Sequence, residues 1–189
     1  MQRDDSVSKP TGRSSTSWTD VKAKLADFDC PGLIGLVQDL YTASKDNQAF
    51  LHARLHLGED VLKPYKEAID RWLWPDVFKN QNTSVAKAKK AVADFKKAAG
   101  TSEELAELMV FYCERVSGFS CDVALDDEAY LSALVRMFEQ ALTAVAGLPK
   151  SLRPTLWTRL ELVRDRSHNI GYGVGEDMDA LLAEHGAHD

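Results

Sequence analysis

The chain has few cysteines and no long apolar run, and both absences exclude classes of protein. Its 189 residues include three cysteines, none of them in a CxxC pair or at the Cys/His spacing of a zinc module. This sparse, odd set argues against a disulfide framework and a structural metal. The longest apolar stretches, such as residues 141–148, are far shorter than the roughly twenty residues that a membrane-spanning helix needs. We therefore expect no membrane insertion.

The sequence also lacks the alternating runs of β-branched and aromatic residues that are typical of strands. From Trp18 onward, apolar residues instead recur with the period of an α-helix. We therefore predict an all-α fold with about eight or nine short amphipathic helices, packed as antiparallel hairpins in a bundle or a short superhelical stack. No internal repeat is clear enough to favour the stack.

The length of the chain predicts one helical domain over residues 18–185. Residues 1–17 contain seven Ser or Thr, with Met1 and Val7 as their only apolar side chains. We predict a disordered tail there, with neither the apolar core of a secretory signal nor the Arg-rich pattern of a transit peptide. Residues 186–189 are predicted to form a C-terminal tail. A cytoplasmic location is expected.

Capping residues and prolines predict where the helices begin and end. Ser17 and Asp20 resemble a capping box before a first helix, and Asp29 caps a second. The first helix is expected to bury Val21, Leu25 and Phe28. The second carries one apolar stripe, which consists of Leu33, Leu36, Val37, Leu40 and Tyr41. Further helices are predicted over 47–57, 60–74, 84–99, from 101 through at least 116, 126–146, 152–166 and 176–185.

Two segments carry a family resemblance: SVAKAKKAVADFKK at 84–97 and LAELMVFY at 105–112. In them the chain resembles a family of small bacterial proteins catalogued as a domain of unknown function. The likeness extends in outline over most of 18–182, and includes the Gly171-Tyr172-Gly173 turn. It implies an all-helical fold in a bacterial cytoplasm and no activity, cofactor or catalytic residue. The longer polar N-terminus and Pro64 depart from the family pattern.

The helix predicted over 84–99 is strongly basic. Its five lysines outnumber its one acidic residue, Asp94, and these candidate binding residues are Lys87, Lys89, Lys90, Lys96 and Lys97. The segment 100–147 is acidic, with nine carboxylates against two arginines. The lysine face predicts either a site for anions or acidic partners or a solvated helix face. The basic and acidic patches could also meet, within one chain or between two copies.

Aromatic residues supply the other candidate binding positions. Trp74 and Phe78 flank Pro75, and aromatics of this kind anchor either the edge of a core or a partner interface. Joint exposure of the pair would favour the interface. Tyr172 lies in the Gly-rich bend 167–175, which either ends a helix or forms a ligand-facing loop. The bend matches neither a dinucleotide motif nor a P-loop.

No residue pattern predicts a metal site. His52 and His56 lie four apart on a predicted helix, with Glu59 as a conceivable third ligand. Two histidines and one carboxylate make a weak site, so ordinary surface histidines are the expected interpretation. No metal or cofactor is predicted.

No residue pattern predicts catalysis either. Asp165, Ser167 and His168 are too close in sequence to align as a triad, and Cys113 is expected to be buried in a helix. No catalytic residue is therefore assigned.

These observations favour a non-catalytic protein-interaction or adaptor domain with a protein partner of unknown identity. One alternative is a small-ligand-binding protein or an enzyme with an unrecognised site, for which the surroundings of Tyr172 and the last helix are the candidate location. A second alternative is polyanion or nucleic-acid binding through the Lys87 to Lys97 helix face. The net charge of −6 and the missing recognition motif argue against nucleic acid as the partner.

Overall fold

The computed structural model of the chain describes residues 16–79, 81–98, 101–125 and 127–186. All regular structure in these ranges is helical, with nine α-helices and one short 3₁₀ helix, which confirms the predicted all-α fold. None of the described helices is long and apolar enough to cross a membrane. Nearly all residues of the two predicted tails lie outside the described ranges. The chain divides into two compact units, 1–44 and 45–189, and the predicted domain spans both.

The described part of the first unit contains two helices, α1 (Trp18–Leu25) and α2 (Cys30–Ala43). The main-chain N–H and hydroxyl of Ser17 donate to the Asp20 carboxylate at 2.7 and 2.8 Å, and α1 begins there. Asp29 begins α2 by accepting a hydrogen bond from the main-chain N–H of Gly32 at 2.8 Å. Both predicted caps are therefore confirmed.

The predicted burial on α1 is wrong. Neither α1 nor α2 has a buried side chain, and Val21 and Phe28 are 42% and 47% exposed. The periodicity identifies the apolar side of each helix correctly. Two short helices are nevertheless too small to enclose a core of their own.

The second unit begins with α3 (Lys45–Arg54) and α4 (Lys63–Leu73), followed by the 3₁₀ helix Val77–Lys79. The remaining helices are α5 (Val85–Ala98), α6 (Ser102–Val123), α7 (Glu128–Ala146), α8 (Arg153–Ser167) and α9 (Val174–Gly186). Pro64 lies in the first turn of α4, so it starts that helix without kinking it. The predicted end of α5 at Gly100 lies outside the described residues.

The core of the second unit surrounds the long helices α6 and α7. These two pack against each other, α6 also contacts α4 and α8, and α7 contacts α9. The largest fully buried side chains come from six of the helices, and include Ile69, Phe95, Leu108, Tyr112, Tyr130, Phe138, Leu142, Leu160 and Met178. Each buried side chain of this size contributes about 1.5–3 kcal/mol. This unit is therefore a helical bundle with a continuous apolar interior.

Candidate functional site

The lysines of α5 do not form a single cluster. Lys90 forms an ion pair with Asp94, and the Lys97 ammonium lies 3.7 Å from the same carboxylate. The hydrogen bond to Asp94 raises the pKa of Lys90. Lys87 has a different partner, since its Nζ lies 3.8 Å from the ring centroid of Trp72 on α4. The five lysines thus have different surroundings, and only some of them lack a carboxylate neighbour.

The other two candidate lysines lie toward different neighbours. Lys89 is half-buried and lines a shallow cavity beside Glu128 and Arg136 of α7, whereas Lys96 is exposed. Among the described residues, no ion pair joins an α5 lysine to the acidic segment 100–147. In this part of the chain the basic and acidic patches therefore do not pair with each other. Self-association through them stays a prediction.

Two acidic residues of α6, Glu107 and Glu114, pair with cations on other helices. Glu107 accepts hydrogen bonds from Lys66 of α4 at 2.7 Å and from Arg159 of α8. Arg159 also donates from Nε and Nη2 to the two oxygens of Glu114, at 2.7 and 2.8 Å. This fork is the strong, geometrically specific form of the Arg–carboxylate pair. We refer to Lys66, Glu107, Glu114 and Arg159 as the ionic cluster.

The ionic cluster joins three helices electrostatically. Burial disfavours the charged form of Glu107, but the hydrogen bonds from Arg159 and Lys66 outweigh it and hold the pKa of Glu107 below its ordinary value. The hydrogen bonds that Arg159 donates to Glu114 and Glu107 raise the pKa of Arg159, against the opposing effect of its burial. Both partners therefore stay charged at neutral pH. Such balanced pairing is typical of a structural cluster that fixes how α4, α6 and α8 pack.

Trp74 belongs to the edge of the core. Its ring packs against Phe119 with centroids 6.1 Å apart, and the Arg115 guanidinium lies 4.0 Å from its centroid. A Cβ added at Gly118 would lie 2.5 Å from the indole, so only glycine allows the ring to sit against α6. Phe78, in contrast, is 95% exposed. The two aromatics are therefore not exposed together, and the condition that would favour an interface there is not met.

The Gly-rich bend connects α8 to α9, and its backbone at Gly175 lies close to the His168 side chain. Tyr172 is exposed and has a φ of 63°, and Gly173 follows with a φ of 67°. A Cβ added at Gly175 would lie 2.4 Å from the His168 ring. This contact favours the interpretation of the bend as a helix end with tight packing. A ligand-facing role for Tyr172 stays a prediction.

The residues considered for a triad have other partners. The Ser167 hydroxyl is buried and donates to the main-chain oxygen of Val163 at 2.8 Å. His168 Nε2 lies 3.2 Å from Asp179 of α9, and Asp165 lies beside Arg164. The serine and the histidine therefore do not form a nucleophile–base pair.

The two histidines considered for metal binding do not share a helix face. His52 is half-buried in α3, but α3 ends at Arg54 and His56 follows it with a φ of 49°. Across the described ranges, no group of three or more His, Cys, Asp or Glu side chains could hold a metal ion.

Cys113 is buried, and burial raises the pKa of its thiol well above the ordinary value.

The most unusual surface of the described chain is on α2. Of its 14 residues only Asp39 is charged, and no side chain of the helix is buried. Its large apolar side chains lie within about half of the helix circumference. We refer to them as the α2 face, which consists of Leu33, Ile34, Leu36, Val37, Leu40 and Tyr41. Ile34 and Leu40 are 63% and 51% exposed.

The periodicity of the sequence predicts the apolar stripe on α2 but not its exposure. A helix with so little charge is normally buried, because its apolar surface is costly to expose to water. A contiguous exposed apolar patch on a folded protein marks a place where another surface binds. The α2 face is therefore the principal candidate functional site of this chain.

Comparison with known proteins adds no relative. Neither the family models, nor the curated proteins, nor the solved structures include a match to this chain. The resemblance to a bacterial family stays a prediction.

Proposed function

We propose that this protein is a non-catalytic adaptor, and that the α2 face receives an apolar helix of a different protein. The observation that carries the proposal is that an almost uncharged helix exposes four large apolar side chains on one side, namely Leu33, Ile34, Val37 and Leu40. In this proposal the protein acts in a bacterial cytoplasm. No catalytic residue takes part.

The spacing of the α2 face fits a helical partner. Leu33, Val37 and Leu40 are separated by four and three residues. This spacing forms the ridge that packs into the groove of another helix. Because the face offers five aliphatic side chains and Tyr41, without a charged residue among them, the partner surface is expected to be apolar too. In helix-in-groove recognition the bound helix carries its apolar anchors three and four residues apart.

The interaction can be tested by site-specific photo-crosslinking in cells. A photoreactive phenylalanine analogue at Val37 is expected to capture a protein, whereas the same analogue at Asp39 is not, because Asp39 lies on the opposite side of α2. The crosslinked segment of the captured protein should be an amphipathic helix. Crosslinks from Val37 only to residues 45–189 of the same chain, or only to a second copy, would contradict the proposal.

A pair of matched variants measures the energetic contribution of the face. Val37→Asp and Thr42→Asp each add one negative charge to α2, the first on the apolar face and the second away from it. Val37→Asp should weaken binding of the captured protein by about tenfold or more, because a charge would be buried without a partner. Thr42→Asp should leave the affinity within about twofold. Equal effects from the two variants would show that charge alone matters.

A further inference from the structure

A second candidate site lies where α4 leads into α5, far in sequence from the α2 face. An open cavity of about 360 Å³ is lined there by two cationic side chains, one indole ring and four polar side chains. These residues are Arg71, Trp72, Gln81, Asn82, Thr83, Ser84 and Lys87. The main-chain N–H of Ser84 donates to the Trp72 main-chain oxygen at 2.9 Å, which ties the connecting segment to the end of α4.

The two cations of this cavity are held by an uncharged partner. Lys87 Nζ lies 3.8 Å from the Trp72 ring centroid, and the Arg71 guanidinium carbon lies 5.0 Å from it. Cation–π contact of this kind orients a cation without neutralising it. By contrast, a cation that is paired with a carboxylate, such as Arg159 with Glu114, has its charge compensated within the protein.

Three carboxylates that lie close to this cavity in sequence have other partners. Asp70 pairs with Arg115, Asp76 pairs with Lys79 at 3.0 Å, and Asp94 pairs with lysines on its own helix. In the described part of the chain, no carboxylate lies within ion-pair distance of Arg71 or Lys87. Two positive charges therefore converge on one cavity without an acidic side chain to compensate them.

We propose that this cavity binds a phosphate group of a small molecule between Arg71 and Lys87. A phosphate monoester carries between one and a half and two negative charges near neutral pH, about the charge that the two side chains supply. The guanidinium can donate two parallel hydrogen bonds to its oxygens, and the ammonium contributes a compact charge. The amide and hydroxyl groups of Asn82 and Thr83 offer further donors on the cavity wall.

The site can be tested by titrating the full chain with inorganic phosphate and recording the indole N–H signals of its four tryptophans by NMR. The Trp72→Phe variant assigns the Trp72 signal by its loss. We expect a saturable shift of the Trp72 signal and no saturable shift of the exposed Trp18 signal. Shifts that grow linearly at every tryptophan would overturn the proposal.

Two charge-neutralising variants of α5 separate a site from a general charge effect. Lys87→Gln should weaken phosphate binding by about tenfold, since it removes one of the two charges. Lys96→Gln removes the same charge from an exposed position outside the cavity, and should leave the affinity within about twofold. Equal weakening by both would overturn the proposal.

Two further measurements complete the test. Arg71→Gln should weaken binding to a similar extent as Lys87→Gln, and circular dichroism should show that both variants keep the helical content of the parent. Acetate supplies an oxyanion of lower charge, and we expect it to bind more weakly than phosphate. Equal affinities for acetate and phosphate would overturn the assignment to phosphate.

Discussion

The helices α2 and α7 are both rich in apolar residues, but they differ in how many of these side chains are buried. Nine side chains of α7 are buried, whereas α2 has none. On α7 the apolar side is covered by α6, α8 and α9 of the same bundle. On α2 the corresponding side chains remain exposed. An apolar pattern therefore predicts that one side of a helix will be buried against another surface. It does not show which surface that is.

The largest test of this comparison removes a side chain from each helix. Leu142→Ala on α7 should lower the free energy of unfolding by about 2–5 kcal/mol, because it opens a cavity in a packed core. Val37→Ala on α2 should change it by less than about 0.5 kcal/mol, since Val37 is 44% exposed and lies outside the buried core. Urea unfolding of both variants measures the difference. A loss of similar size from Val37→Ala would show that the α2 face is buried in the free protein.

Two helical glycines give a smaller test with opposite signs. Gly118→Ala should destabilise the bundle by about 1–3 kcal/mol, because its new Cβ would overlap Trp74. Gly35→Ala has nothing within 4 Å of the new Cβ, so it should stabilise α2 by up to about 1 kcal/mol. Thermal unfolding measures the first effect and amide hydrogen exchange along α2 the second. Stabilisation by Gly118→Ala would contradict the close packing of Trp74 on α6.

The smallest test compares two acidic residues, one in each unit. Glu107→Gln should cost about 1–2 kcal/mol at pH 7, because it removes a partly buried carboxylate from Arg159 and Lys66. The pKa of Glu107 is below the ordinary value of 4.5 in the folded chain, so its stabilisation is present above that value. It is lost as the pH falls through the folded pKa. Unfolding curves of parent and variant should therefore converge in acid.

The matched change in the first unit is Asp20→Asn. Hydrogen bonds from Ser17 lower the pKa of Asp20 as well, but this carboxylate is fully exposed. Its loss should fray the start of α1 and leave the unfolding of the second unit unchanged. Hydrogen exchange at the first turn of α1 is the measurement.

For the ionic cluster, the contradicting outcome is a stability difference between Glu107→Gln and its parent that persists unchanged at pH 2.

Most of the fold could be predicted from the sequence because its signals are local. Apolar periodicity and the caps Ser17 and Asp29 depend on residues only a few positions apart. These signals placed the helices to within a few residues. The exposure of Val21 and Phe28 could not be predicted in the same way, since it depends on whether another element packs over them.

The arrangement of the charges was beyond local reasoning. Glu107 and Glu114 belong to the acidic segment 100–147, yet their partner Arg159 lies 52 and 45 residues away in the chain. Lys87 belongs to the lysine-rich helix α5, yet it contacts Trp72 on another helix. Only the packing of the helices brings these residues together. Counting charges along the sequence therefore overestimates the uncompensated charge of both the basic and the acidic patch.

The position of Cys113 also has a consequence for how the bundle is held together. Its thiol lies in the middle of the core, and burial raises the pKa of both Cys113 and the more exposed Cys121. Little of either sulfur is therefore present as the nucleophilic thiolate at neutral pH. In the described part of the chain Cys30, Cys113 and Cys121 are all free thiols, so side-chain packing and not a disulfide holds α6 in place.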